Sequence, residues 1–185
     1  MKIIRVIGLI IVVLAFVVLI LSLSAPKSYH VERSIVIQVP KHQVFEHIKY
    51  WRNWKAWSPW AEMDSAIVVT IAGIDGQIGS KFQWKGKRAG RGEMIATNIQ
   101  EDEELAYHLR FVKPWESESN GYLRLTAVDD HATQVTWAFY GKSPFPWNFI
   151  TLFFSLDYMI GGDFERGLER LKSILESQSK TRPQN

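Results

Sequence analysis

The sequence contains no cysteine. This absence excludes disulfide bonds, a thiolate nucleophile, cysteine-ligated metal sites and a lipid attached to an N-terminal cysteine. It leaves the cellular compartment open, because a domain of about 150 residues can bury a core large enough to fold without disulfides.

A strong excess of basic charge is also missing from most of the chain. Lys2 and Arg5 are two of the 22 basic residues, which leaves 20 basic against 19 acidic residues in the remainder. A protein that binds nucleic acid through its phosphates concentrates positive charge on its folded part. The composition therefore argues against nucleic acid as a partner.

The sequence shows no convincing constellation of catalytic or metal-binding residues. His42 and His47 bracket Glu46 at a spacing that fits no zinc-protease motif. Glu62 and Glu93 are candidate acid–base groups, but the pattern alone does not place either in a cavity. We therefore predict no catalytic residue, no metal site and no cofactor.

One long apolar run begins close to the N-terminus. Residues 6–23 carry no charge over 18 positions, and as a helix they would be about 27 Å long against a hydrocarbon core of about 30 Å. This length predicts a transmembrane anchor over residues 1–25. A cleaved signal peptide is the alternative, because small residues follow the run, although the apolar core of a signal peptide usually has about 7–15 residues.

The charges that flank the anchor bear on its orientation. Lys2 and Arg5 precede the helix, whereas Lys27 and Arg33 follow it. Basic residues tend to remain in the cytoplasm. We predict a single-pass protein of the cell membrane with an extracytoplasmic domain, and the opposite orientation remains an alternative.

The rest of the chain is dominated by alternation of apolar and polar residues, which is typical of β-strands. Turn-forming residues separate the alternating segments, so we predict an α+β domain over residues 26–178 with an antiparallel sheet of six or seven strands. A helical pattern from about 157 to 176 closes the domain, and residues 179–185 are predicted to be disordered. The alternating segments are 31–39, 67–71, 82–84, 105–111, 123–127 and 135–139.

Four segments carry a family resemblance: VERSIVIQVPKHQVFEHI (31–48), WKAWSPWAEMD (54–64), GRGEMIATNI (90–99) and DYMIGGDFERGLERLKSIL (157–175). In these segments and in the order of its elements, the chain resembles the START-like helix-grip (SRPBCC) superfamily. It is most similar to the polyketide cyclase/dehydrase and lipid-transport type, in a membrane-anchored bacterial subgroup. The resemblance implies a curved sheet wrapped around the C-terminal helix, with a cavity between them for apolar or amphipathic molecules.

The aromatic residues are the candidate ligand-binding groups. Inward-facing rings of the strands, together with rings of the 54–60 segment and the C-terminal helix, can line such a cavity. They can equally well fill a core without any cavity. The candidates are Trp54, Trp57, Trp60, Phe82, Trp84, Tyr107, Phe111, Trp137, Phe139 and Phe164.

A second apolar segment lies between the last strand and the C-terminal helix. Residues 143–156 carry no charge and are rich in phenylalanine and proline. The segment can cover the mouth of the cavity, touch the bilayer beside the anchor, or pack against the sheet of its own domain.

These observations favour a membrane-tethered, non-catalytic module that binds a hydrophobic small molecule or a lipid. One alternative is a cyclase-like or hydrolytic enzyme with an acid or base in its cavity. Another is a protein with a filled core that binds a membrane partner. The sequence leaves the identity of the ligand and the oligomeric state open.

Overall fold

The computed structural model describes residues 2–60, 64 and 66–181. Part of the WKAWSPWAEMD segment, including Glu62, lies outside the described residues, as do residues 182–185 of the predicted tail. The helices are α1 (Lys2–Ser24), α2 (Lys41–Ile48), α3 (Trp51–Trp57), a 3-10 helix (Trp147–Leu152) and α4 (Leu156–Thr181). The strands are β1 (Ser28–Ile37), β2 (Val68–Ala72), β3 (Lys81–Lys85), β4 (Arg91–Gln100), β5 (Glu104–Lys113), β6 (Ser117–Ala127) and β7 (Thr133–Lys142).

The seven strands form one antiparallel sheet in the order β1-β7-β6-β5-β4-β3-β2. Strands β2 to β7 follow one another as a meander, while β1 pairs with β7 from Ser28↔Lys142 to Ile37↔Thr133. The curved sheet and the long C-terminal helix confirm the predicted α+β helix-grip fold. Strand β4 completes the count of seven. Apolar alternation did not reveal it because its inward positions include the small residues Gly92 and Ala96.

Helix α4 packs its apolar stripe against the sheet. Phe164, Leu168, Leu171 and Leu175 recur at spacings of three and four, and all four are buried. Burial of each such side chain contributes roughly 1.5–3 kcal/mol. The helix continues five residues past the predicted end at 176, to Thr181, and no proline occurs between residues 176 and 183 to end it earlier.

Helices α2 and α3 close one end of the domain. Pro40 precedes α2, which buries Val44, Phe45 and Ile48 on one face. Helix α3 ends at Trp57, since Ser58 takes an extended conformation ahead of Pro59.

Helix α1 stands apart from the sheet, and its apolar side chains are exposed along nearly its whole length. By length and composition it can cross a membrane. Its last turn contacts the 3-10 helix, where the buried Asn148 donates hydrogen bonds to the carbonyls of Ser22 (2.7 Å) and Ala25 (3.1 Å).

Candidate functional site

A pocket of about 450 Å³ lies between the concave face of the sheet and the first turns of α4. This volume falls within the range of about 300–1,000 Å³ that is common for small-molecule sites. All seven strands contribute to its wall. The lining residues of the strands are Tyr29, Val69, Phe82, Trp84, Met94, Tyr107, Leu109, Phe111, Ser117, Ser119 and Phe139.

Helix α4 forms the opposite wall with Leu156, Ile160 and Phe164. The polypeptide after α3 adds Ser58 and Trp60, and the β3–β4 hairpin adds Arg88 and Ala89 at one side. Most of these groups are apolar, so the pocket can bury hydrocarbon with little polar desolvation.

Seven of the ten candidate ligand-binding residues line this pocket. They are Trp60, Phe82, Trp84, Tyr107, Phe111, Phe139 and Phe164. Whether they bind a ligand remains a prediction, but the structure brings them together around one space.

The other three candidates, Trp54, Trp57 and Trp137, are fully buried in the core beside the pocket. Their rings contact one another, with Trp54 to Trp57 at 4.8 Å and Trp57 to Trp137 at 5.1 Å between centroids. Trp137 also stacks on Phe164 at 4.3 Å with nearly parallel planes. These three residues support the pocket wall from behind and do not line it.

Two glycines let α4 approach its neighbours closely. A Cβ on Gly167 would lie 2.8 Å from the ring of Trp137 and 3.1 Å from Pro59, and one on Gly161 would collide with the Arg33 guanidinium. The helical glycines of the sequence suggest close packing. Gly161 and Gly167 confirm this, whereas only Arg166, at 3.7 Å, would contact a Cβ on Gly162.

The indole of Trp84 is held in a defined position on the pocket wall. Its Nε1 donates a hydrogen bond to the carbonyl of Ala89 at 3.0 Å, and its ring meets Phe111 edge to face at 5.5 Å. A side chain at Gly92 would collide with this ring and would lie 2.6 Å from the carbonyl of Arg110. Glycine is therefore required in β4 for Trp84 to lie across the strand.

Asp64 fixes the β3–β4 hairpin, and its role was not predicted from the sequence. Its carboxylate is buried and accepts hydrogen bonds from the backbone N–H groups of Arg88 (2.8 Å) and Ala89 (3.3 Å). These backbone donors lower the pKa of Asp64. The ionised carboxylate thus holds in place two residues that line the pocket.

Replacing Asp64 by asparagine should loosen this hairpin, because a neutral amide oxygen is a weaker acceptor than a carboxylate. We expect the backbone amides of Arg88 and Ala89 to exchange with solvent roughly tenfold faster at neutral pH. The same loss of protection, taken relative to the intrinsic exchange rate at each pH, should appear in the unmodified protein as the pH falls through the lowered pKa of Asp64, since a depressed carboxyl pKa contributes stability only while the group is ionised.

Asp129→Asn is the matched control, because Asp129 accepts a backbone hydrogen bond from His131 in an exposed turn. Hydrogen exchange at Arg88 and Ala89 should be unchanged in this variant. Equal exchange rates in Asp64→Asn and the unmodified protein would contradict the role given to Asp64.

The pocket offers little acid–base chemistry. Among the residues that the structure describes, none of those lining it is a carboxylate or a histidine. Tyr107 accepts a hydrogen bond from the Nε1 of Trp137 at 2.9 Å, and burial raises the pKa of its phenol, so it stays protonated at neutral pH. Glu93 lies on the other face of β4, where it accepts a hydrogen bond from Gln83.

His42, Glu101 and Asp102 bring three potential metal ligands within 4.8 Å of one another outside the pocket. His42 and Glu101 are exposed. Asp102 already pairs with His42 at 3.0 Å, and Glu101 pairs with Lys49 at 3.2 Å. All three side chains are thus already engaged in surface contacts, with one another or with Lys49. Burial lowers the pKa of His47, the other histidine of α2.

Several solved structures share this fold. A protein from Nitrosospira multiformis is 20% identical with a TM-score of 0.58, over 82% of this chain and 99% of its own. The Aha1 dimer from Colwellia psychrerythraea is 16% identical with a TM-score of 0.55, over 80% of this chain and 96% of its own. DynU16, from the dynemicin biosynthetic locus, is 14% identical with a TM-score of 0.58, over 80% of this chain and 48% of its own.

At these identities the similarity concerns the fold alone. No curated protein matches the chain. The family described as polyketide cyclase / dehydrase and lipid transport matches residues 28–176, which include all seven strands and most of α4. The chain therefore belongs to the polyketide cyclase/dehydrase and lipid transport family.

Proposed function

We propose that this protein is a membrane-tethered module that holds one hydrophobic small molecule or lipid without transforming it. The observation that carries the proposal is the apolar pocket between the sheet and α4. Each buried CH₂ contributes about 0.8 kcal/mol, so a chain of about ten carbons would gain several kcal/mol before the cost of ordering is subtracted. Ionic contacts are not needed for such binding.

The chemistry of the wall favours binding over catalysis. An enzyme of the cyclase or hydrolase type needs a titratable group facing its substrate. The described lining residues supply hydroxyl groups and the side chains of Lys55 and Arg88, but no carboxylate or histidine that would serve as a general base. The family description, which includes lipid transport, supports an apolar ligand.

The test is native mass spectrometry of the full chain, extracted gently in a mild detergent, followed by solvent extraction of any retained compound. We expect one stoichiometric adduct that is hydrophobic and is released when the protein unfolds. A chain that is reproducibly empty and gains no mass when offered phospholipids or fatty acids would overturn the proposal. It would favour the partner-binding alternative.

Contacts at the end of α1 support an anchor that stays attached. Ser22 and Ala25 are buried, and their carbonyls accept hydrogen bonds from the side chain of Asn148, more than 120 residues away in the chain. Cleavage after Ala25 would remove both of these partners. These contacts between the last turn of α1 and residue 148 therefore favour an anchor that stays attached over a removable leader.

Replacing Asn148 by alanine should make the segment that joins α1 to β1 more mobile, because its hydrogen bonds to residue 148 are lost. Two buried carbonyls would lose their donor, at a cost of about 1–3 kcal/mol for an unsatisfied group. We expect trypsin to cut after Lys27 several times faster in the detergent-solubilised chain, as followed by gel electrophoresis. Asn120→Ala, which removes a hydrogen bond to His108 at 3.2 Å, is the control and should leave this rate unchanged. Equal rates in all three proteins would count against the contact.

We further propose that the N-terminus lies in the cytoplasm and the domain outside it. The chain has no cysteine, so Trp115→Cys, at a side chain that is 81% exposed, gives a single reporter. A membrane-impermeant maleimide should label this variant in intact cells. Labelling only after the cells are broken would place the domain on the cytoplasmic side.

A further inference from the structure

A patch of exposed apolar side chains surrounds the point where α1 meets the domain. We call residues 145–159 the apolar shelf. Its exposed fractions are 65% for Trp147, 66% for Phe153, 63% for Phe154 and 90% for Tyr158. Soluble surfaces rarely carry such a concentration of large apolar groups without a partner.

Two of the three sequence hypotheses for this segment do not fit the geometry. Packing against the sheet would bury its rings, and the rings of Trp147, Phe153 and Phe154 are exposed. A cover over the pocket would bring most of the segment into its lining, and of residues 143–156 only the last, Leu156 in the first turn of α4, joins the lining. Contact with the bilayer is the hypothesis that remains.

The connection to α1 fixes the depth of the shelf. Ser22 donates a hydrogen bond to the carbonyl of Pro146 at 2.6 Å, and Asn148 binds the carbonyls of Ser22 and Ala25. If α1 crosses the bilayer, an apolar length of about 27 Å carries residues 22–25 to the headgroup boundary of the far leaflet. Residues that are hydrogen-bonded to residues 22–25 must therefore lie at the same depth in the bilayer.

The charge distribution around the shelf fits the same position. Residues 143–156 carry no charge, and the one charged residue of the shelf, Asp157, is neutralised by an ion pair with Arg33 at 2.7 Å. Lys142 stands opposite Ser28 in the sheet, and the N–H of Ser143 donates a hydrogen bond to the carbonyl of Lys27 at 2.9 Å. Two lysines thus flank the shelf where lipid phosphates would lie.

The shelf is also continuous with the pocket. Leu156 and Ile160 line the pocket, while Tyr158 and Met159, on the same first turns of α4, are exposed. One side of these turns therefore faces the pocket and the other faces outward. A membrane under the shelf would lie directly beside this wall of the pocket.

We propose that the apolar shelf is a second membrane-contact surface, seated in the headgroup–acyl boundary of the leaflet at which α1 ends. Tryptophan and phenylalanine favour this boundary. The proposal rests on the proposed membrane anchor and adds to it a fixed orientation of the domain, with the α4 wall of the pocket against the bilayer. A ligand that partitions into membranes could then pass between the leaflet and the pocket without crossing water.

The experiment uses single-cysteine variants of the full chain in phosphatidylcholine/phosphatidylglycerol vesicles. Phe153→Cys and Tyr158→Cys report on the shelf, Trp115→Cys on the exposed domain surface, and Val12→Cys on the middle of α1. Each is labelled with a nitrobenzoxadiazole fluorophore. Quenching is then measured with aqueous iodide and with lipids that carry a nitroxide either near the headgroup or near the end of the acyl chain.

We expect the labels at 153 and 158 to be shielded from iodide and quenched most by the shallow nitroxide, and the label at 115 to be quenched by iodide alone. The label at 12 should respond most to the deep nitroxide. If the label at 12 behaves in this way while those at 153 and 158 match the one at 115, the shelf proposal is overturned and the anchor stands. If the label at 12 is also open to iodide, the membrane tether itself is overturned.

Discussion

Replacing Trp137 by alanine should lower the free energy of unfolding by about 3–5 kcal/mol, because a large buried ring leaves a cavity that its surroundings cannot fill. The indole stacks on Phe164 at 4.3 Å and meets the rings of Trp54 and Trp57 edge to face. Its Nε1 also donates a hydrogen bond to the buried hydroxyl of Tyr107. The loss corresponds to a fall in Tm of roughly 10 °C, measurable by circular dichroism of the sheet.

Trp137→Phe separates the ring from its hydrogen bond. Phenylalanine retains much of the ring volume and loses the donor, so we expect a smaller loss of about 1–2 kcal/mol. Trp115→Ala is the matched control, since this tryptophan is 81% exposed and its removal should change stability by less than about 0.5 kcal/mol. A loss below about 1 kcal/mol for Trp137→Ala would contradict the central position given to this residue.

The tryptophans also mark how far the sequence determines the site. Apolar alternation places Trp84 and Trp137 on the same inward face of the sheet, and that much is correct. Alternation gives no distance across the sheet, however, and α4 covers Trp137 while leaving Trp84 half-buried on the pocket wall. Gly167 accounts for the burial of Trp137, because a residue without a side chain lets α4 approach the Trp137 ring closely.

Other features escaped prediction because they depend on contacts between distant parts of the chain. Nothing near Asp64 in the sequence indicates that its carboxylate binds the amides of residues 88 and 89. Asn148 likewise lies in an apolar segment and bonds to the end of α1. The fold itself was predictable, since strand periodicity and the amphipathic helix are local properties.

Replacing Trp84 by alanine should weaken ligand retention by roughly 5- to 150-fold without unfolding the domain. Removing an indole from the wall takes away contact area worth about 1–3 kcal/mol to an apolar ligand. The cost to stability should be smaller than for Trp137, because the ring is half-buried and its partners Phe111 and Ala89 lie at the pocket edge. The measurement is the fraction of adduct that survives in native mass spectra of the full chain, with folding checked by circular dichroism.

Trp115→Ala again supplies the control, as it removes the same chemical group from a site that does not line the pocket. Its adduct should be retained as in the unmodified protein. Equal loss in both variants would mean that the adduct sits elsewhere, for example on α1 or on the apolar shelf. Retention in both would mean that Trp84 is part of the core and that the ligand, if any, does not touch this wall. Loss in Trp84→Ala alone links the ligand to the pocket, because the two variants differ only in where the missing indole stood.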